Sequence, residues 1–185
     1  MNLLLVSGSL RRESYNRQLL LYAARLVPGG VEVELWDRLE TVPPYSEDDD
    51  GPAAPETAVR LREIFAAADG VLFATPEYNS SIPGQLKNAL DWLSRPHATN
   101  VLRNTPVGVI GASTGAFGAV WAQAELRKVL AAIGARVVEG EVAVGHSAVR
   151  FDASGHLTDE NLREQLAEVV DVLIAEARQR ELVAA

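Results

Sequence analysis

Gly70-Val71-Leu72-Phe73-Ala74-Thr75-Pro76-Glu77-Tyr78-Asn79-Ser80-Ser81-Ile82-Pro83-Gly84-Gln85-Leu86-Lys87-Asn88-Ala89-Leu90-Asp91-Trp92 reads as a strand, a polar loop and a helix in succession. Gly70 to Ala74 is a short apolar run of the length expected of a buried strand. Pro83 marks the start of a helix, because a proline costs least in the first helical turn. The loop between carries an acid, an aromatic ring, an amide and two hydroxyls. Such residues are of little use to a core. They stand where the carboxyl end of a strand opens into a helix, which in a parallel α/β sheet is where ligands bind.

Working outward, the same alternation repeats. Asn2 to Val6 reads as a first buried strand, followed by the loop Ser7-Gly8-Ser9-Leu10-Arg11-Arg12-Glu13-Ser14-Tyr15-Asn16. Arg17 to Leu26 has helical spacing, with Leu19, Leu20, Ala23, Ala24 and Val27 on one side, and Pro28-Gly29-Gly30 stops it. Val31 to Trp36 alternates apolar and charged residues, as a strand near a sheet edge does. The acidic run Glu47-Asp48-Asp49-Asp50 sits in a Pro-containing loop and reads as a solvated surface rather than a metal site. Pro55-Glu56 opens a helix expected to turn Val59, Leu61, Ile64, Phe65 and Ala68 inward.

Downstream, Pro106 to Gly111 is a fourth buried strand ending in Ala112-Ser113-Thr114-Gly115-Ala116-Phe117-Gly118. Val120 to Ile133 is a fourth helix, Arg136 to Val144 a fifth strand, and Asp159 begins a last amphipathic helix. Five strands alternating with five helices indicate a three-layer α/β fold with a five-stranded, mainly parallel sheet. Two arrangements obey the crossover rules: strand order 2-1-3-4-5 or a Rossmann half. In the first, strands 1 and 3 lie together, and their following loops are the two most polar in the chain. That coincidence favours 2-1-3-4-5.

The composition fits one domain over residues 1–185, with 48% hydrophobic and 23% charged residues. A formal net charge of −8 argues against a nucleic-acid surface, which needs a basic face. With no cysteine, disulfides, cysteine–zinc sites and thiol catalysis are excluded. The apolar run at the amino terminus is too short for a signal peptide or a membrane span. A cytoplasmic location without membrane attachment is the expectation.

Ser9, Arg11, Ser14 and Asn16 surround the start of a helix, where unpaired N–H groups and the helix dipole favour an anion. The bland alternative is that Ser14 only caps the helix and that the arginines are solvated. Neither GxxxxGK[ST] nor, after the first strand, GxGxxG is present. A P-loop is therefore out, and a single phosphate fits better than a dinucleotide. Gly111-Ala112-Ser113-Thr114-Gly115 matches G-x-S-x-G, with Asp152 and His156 later in the chain in hydrolase order. The motif is short, no HGGG-like loop accompanies it, and Asp152 to His156 has the composition of a turn. His97, His146 and His156 lack metal-binding spacing. Trp36, Trp92 and Trp121 read as core or interface packing, whereas Tyr78 is as apt for a cofactor contact as for packing.

These residues give the chain a strong resemblance to the NADPH-dependent FMN reductase family, which includes bacterial quinone and chromate reductases. The resemblance rests on Gly8-Ser9-Leu10-Arg11-x-x-Ser14-x-Asn16 and Pro76-Glu77-Tyr78-Asn79-x-Ser81-x-Pro83-Gly84-x-Leu86-Lys87-Asn88-Ala89-x-Asp91-Trp92. It implies a flavodoxin-like fold, bound FMN, NADPH or NADH as co-substrate, and a homodimer or homotetramer. Carried over, Ser9, Arg11, Ser14 and Asn16 would hold the FMN phosphate. Pro76, Glu77, Tyr78 and Asn79 would line the isoalloxazine, largely through backbone groups, and Ser113, Thr114 and Gly115 would close its other edge. The acceptor would be a small molecule: a quinone, an azo compound, a metal oxyanion or free flavin. The cofactor does the chemistry, so no catalytic side chain is expected. The alternative is a flavodoxin-type electron carrier without NAD(P)H turnover.

Overall fold

The computed structural model describes the backbone of residues 1–184 and the side chains of residues 1–180. Strands β1 (Asn2–Ser7), β2 (Glu32–Trp36), β3 (Gly70–Thr75) and β4 (Pro106–Ala112) form the body of a parallel sheet. Helices α1 (Tyr15–Leu26), α2 (Glu56–Ala66), α3 (Gly84–Leu93), α4 (Val120–Ala132) and α5 (Glu160–Ala184) cover it. The order is β2-β1-β3-β4-β5, with a sixth strand also on β4. The sequence expectation of 2-1-3-4-5 is met.

The apolar runs are continuous because both faces of the sheet are covered. Leu4, Val6, Val71 and Phe73 pack with α2, α3 and α4 on one face. Leu3, Leu5, Leu72 and Ala74 pack with α1 and α5 on the other. Strand β2 pairs only with β1, and Trp36 is its sole buried residue, so the alternating pattern of Val31 to Trp36 does mark an edge. Trp36 and Trp92 are core residues, whereas Trp121 is half exposed.

Two expectations are corrected. Val59 does not face inward: it is exposed, and Ala58, Leu61, Phe65 and Ala68 form the buried stripe. The spacing explains it, because Val59 lies two positions from Leu61 and so on another side of the helix. The single strand expected over Arg136 to Val144 is two short ones, β5 (Arg136–Val137) and β6 (Ala143–Val144), both paired with β4. Arg127 of α4 fills the interruption. Its guanidinium donates to the carbonyls of Val138 at 2.9 Å and Val109 at 2.8 Å, and to that of Gly140. Gly140, at φ +103°, passes so close to α5 that a Cβ would stand 2.6 Å from Val169.

The acidic run also departs from a purely solvated face. Asp50 pairs with Arg62 at 2.8 Å, with both side chains largely covered. Among the described residues no three acids or histidines gather as a metal site would require. No described helix is long and apolar enough to cross a membrane.

Candidate functional site: three tied loops at the carboxyl ends of β1, β3 and β4

Because β1, β3 and β4 are neighbours, the loops that follow them converge at one edge of the sheet. The first loop leaves β1 tightly against the third. Gly8 N–H donates to Ala74 O at 2.8 Å. A Cβ at Gly8 would stand 3.1 Å from that oxygen and 3.0 Å from Leu86, so a larger residue would push the loops apart. Ser9 and Ser14 are buried. Ser9 Oγ accepts from Arg11 N–H and Ser14 Oγ from Arg17 N–H, each at 3.3 Å. Each hydroxyl still has its own proton to donate. Ser14 is the N-cap of α1, so the capping reading of this residue is correct as far as it goes. Helix α1 begins at Tyr15, two residues before the expected Arg17.

Arg11 is exposed, with its guanidinium 6.0 Å from the centroid of the Tyr15 ring. Among the described ion pairs none involves Arg11, whereas Arg17 is committed to Asp37 at 2.7 Å. Asn16 has a fastening task in addition to its place in the cleft lining. Its amide Nδ2 donates to Ala112 O at 2.9 Å and its Oδ1 accepts from Ala112 N–H at 2.8 Å, with the side chain buried. It fastens the first loop to the end of β4.

The loop after β3 turns sharply. Tyr78 and Ser81 exchange backbone hydrogen bonds at 3.0 and 3.1 Å around Asn79 and Ser80, both left-handed at φ +53° and +60°. Two successive positive φ values give the tight turn that two-residue hairpin loops prefer. The turn holds Tyr78 half exposed. Glu77 reaches the other way, and its Oε2 accepts from Trp121 N–H and Ala122 N–H, both at 3.1 Å.

The loop after β4 is braced from behind by residues to which sequence reasoning assigned no role. Ser113 O accepts from Ser147 N–H at 3.0 Å and Gly115 O from His146 N–H at 2.8 Å. A Cβ at Gly145 would stand 2.1 Å from Ala116 O, so only glycine lets the two segments approach. The glycine-containing triplet Gly145-His146-Ser147 just past the last strand was the available signal. Ser113 Oγ accepts from Gly115 N–H at 3.1 Å. It has no bond to His156, whose Nδ1 lies 2.7 Å from Ser154 Oγ, which also donates to Asp152 at 2.6 Å. The Ser154 hydroxyl, and then the His156 N–H, hold the Asp152 pKa down at about 2. The hydrolase triad is not assembled.

Ser9, Arg11, Ser14, Asn16, Pro76, Glu77, Tyr78, Ser113 and Thr114 line one cleft of about 100 Å³. Asn79 and Gly115 stand outside that lining, while Tyr15 and Ala112, which were not anticipated, belong to it. Tyr15 stacks on Phe151 with ring centroids 6.1 Å apart.

One end of the cleft therefore offers two hydroxyl protons, a guanidinium with no acid paired to it among the described residues, and the first N–H groups of α1. The other end is formed by backbone turns and the exposed ring of Tyr78. A volume of about 100 Å³ is of the size of a phosphate-like group.

The NADPH-dependent FMN reductase family profile matches residues 1–149. The chain is 41% identical over 176 residues to a 2-hydroxy-1,4-benzoquinone reductase of a Burkholderia species, covering 95% of each chain. It is 41% identical over 169 residues to an NAD(P)H-dependent FMN reductase of Pseudomonas aeruginosa, covering 91% of this chain and 90% of that one. Among solved structures it superimposes on the flavoenzyme NAD(P)H:(acceptor) oxidoreductase of Paracoccus denitrificans with a TM-score of 0.84 and 34% identity, covering 96% of this chain and 97% of that one. On fold, loop arrangement and sequence together, the chain belongs to the NADPH-dependent FMN reductase family.

Proposed function

We propose that the cleft is the cofactor seat of this FMN-dependent NAD(P)H oxidoreductase, with the phosphate held at the start of α1. Ser9 and Ser14 donate their hydroxyl protons, Arg11 supplies the charge, and the N–H groups of Tyr15 and Asn16 have no partner within the helix. The observation that carries this reading is the convergence of two buried hydroxyls and an arginine without an acid partner on one helix N-terminus. Pro76, Glu77, Tyr78 and Asn79 line the ring through their backbone, and Ser113, Thr114 and Gly115 bound its other edge. Asn16 contributes chiefly by fastening the loops, with one amide proton left for the phosphate.

Held by Ser9, Arg11 and Ser14, FMN would supply the redox chemistry that links NAD(P)H to a second small molecule. The chain's own part is to bind, orient and tune. Arg11 and the helix dipole balance the phosphate charge, and the rigid turn at Asn79-Ser80 keeps a flat surface open beside Tyr78. Quinones and similar planar acceptors suit such a surface, and one relative is named for a benzoquinone. We place the protein in the cytoplasm, where NAD(P)H is supplied, as a homodimer or homotetramer. The exposed Phe117–Trp121 pair supports the assembly.

The visible spectrum of the purified protein, recorded without oxygen before and after NADPH, tests the reading. Flavin bands should bleach with NADPH or NADH and return on adding a quinone. Bands that survive both nucleotides would refute the reductase in favour of a flavodoxin-type carrier. A protein that takes up no added FMN would refute the cofactor seat.

A further inference from the structure

Helix α4 begins without any cap of its own. Its N-cap is Ala119, in the left-handed region at φ +64°, with no side-chain hydrogen bond, and its first turn holds no acid. A helix start normally takes a Ser, Thr, Asp or Asn there to satisfy its orphan N–H groups. Here the acceptor comes from 44 residues upstream. Glu77 Oε2 receives both Trp121 N–H and Ala122 N–H at 3.1 Å, and its negative charge faces the positive end of the helix dipole. A second strut runs in the opposite direction, because Glu125 Oε2 of α4 accepts from Ile82 N–H at 3.4 Å.

The two ends of the Glu77 strut are loops of the cleft. One is the Pro76–Ser81 turn. The other is the Ser113–Gly118 segment, which runs straight into Ala119 and α4. We propose that Glu77 is a positioning residue of the site: its carboxylate caps α4 from a distance and thereby sets the spacing between the two loops that flank the flavin ring. Its backbone belongs to the ring-lining turn, whereas its side chain is turned to the helix. The same strut places the Phe117 and Trp121 rings, packed edge to face at 5.1 Å and both exposed, on the segment that Glu77 holds. The link to flavin rests on the FMN reading of the cleft, whereas the cap itself does not.

The test compares the wild type with Glu77→Ala and Glu77→Gln. The first readout is hydrogen exchange at the Trp121 and Ala122 amides in protein freed of flavin. The second is FMN affinity by fluorescence titration, together with the bound-flavin spectrum. Glu77→Ala should speed exchange at both amides and weaken FMN by about tenfold, within the range by which a residue that touches neither ligand alters a coupled site. It should also alter the flavin band shape. Glu77→Gln keeps an acceptor of the same reach but loses the charge, and should restore affinity to within about fivefold of wild type.

Unchanged exchange at Trp121 and Ala122 in Glu77→Ala would overturn the cap. Faster exchange with unaltered FMN affinity and spectrum would overturn the positioning role. Failure of Glu77→Gln to restore either readout would overturn it as well. If wild-type protein fails to bind FMN, the cofactor reading falls, and the link to flavin with it, while amide exchange still decides the cap.

Discussion

Replacing Asn16 by leucine should be among the most damaging single changes at the site. The wild-type amide makes two hydrogen bonds to the Ala112 backbone, at 2.8 and 2.9 Å, across 96 residues of sequence. Both residues are buried, at 3% and 2% exposure, so water cannot readily replace the lost partners. Leaving a buried donor and a buried acceptor unpaired costs about 1–3 kcal/mol each, so the sum is about 2–4 kcal/mol if the end nearer the cleft recovers some solvation. For a domain of this size that corresponds to a melting shift of about 4–16 °C. Urea unfolding followed by circular dichroism measures the first quantity, and calorimetry the second. FMN retention should fall too, because the loop bearing Ser9 and Ser14 is no longer tied to β4. Asn16→Asp separates the two effects: it can still accept from Ala112 N–H, but it sets a carboxylate against Ala112 O and beside the phosphate seat. It should therefore lose FMN more severely than its stability loss implies. A stability change below about 0.5 kcal/mol in Asn16→Leu, the range of an ordinary surface substitution, would refute the fastening role.

Three further outcomes follow from the geometry. Arg11→Ala should raise the FMN dissociation constant about tenfold, as a charge-assisted contact is lost, with stability within about 0.5 kcal/mol of wild type; unaltered FMN affinity would remove Arg11 from the site. Gly118 is at φ +58°, and a Cβ there would stand 2.3 Å from the Ala143 carbonyl carbon. Gly118→Ala should therefore cost at least about 2 kcal/mol, and an unchanged melting temperature would contradict the close approach. Asp152 should titrate in NMR at about 2 rather than 3.8. Because the folded value is the lower one, its stabilising effect is present above the unfolded pKa and is lost as pH falls through about 2; a midpoint near 3.8 would refute the Ser154–His156 turn.

Much of this architecture was legible from local pattern. The apolar runs Leu3–Val6 and Val71–Ala74 are continuous because helices cover both faces, and Val31–Trp36 alternates because it lies at the edge. The two most polar loops follow β1 and β3, which makes the strand order readable from the sequence. The split of the fifth strand was not legible. It depends on Arg127, a side chain from α4 that satisfies carbonyls the ladder leaves open. The outward position of Val59, by contrast, follows from local spacing alone, because it lies two positions from Leu61 and so on another side of the helix.

The site divides in the same way. Residue type and position along the chain were enough to nominate Ser9, Arg11 and Ser14 for an anion, because a helix N-terminus and its flanking hydroxyls are local features. What Asn16 and Glu77 do was decided only by tertiary structure. Each spends its side chain on backbone groups contributed by a distant segment, Ala112 in one case and Trp121 with Ala122 in the other. A sequence displays the donors and acceptors a chain carries, whereas their pairing depends on which loops the sheet brings together. Gly118 and Gly145 illustrate the same limit: their need to be glycine arises from a backbone that arrives from elsewhere in the chain.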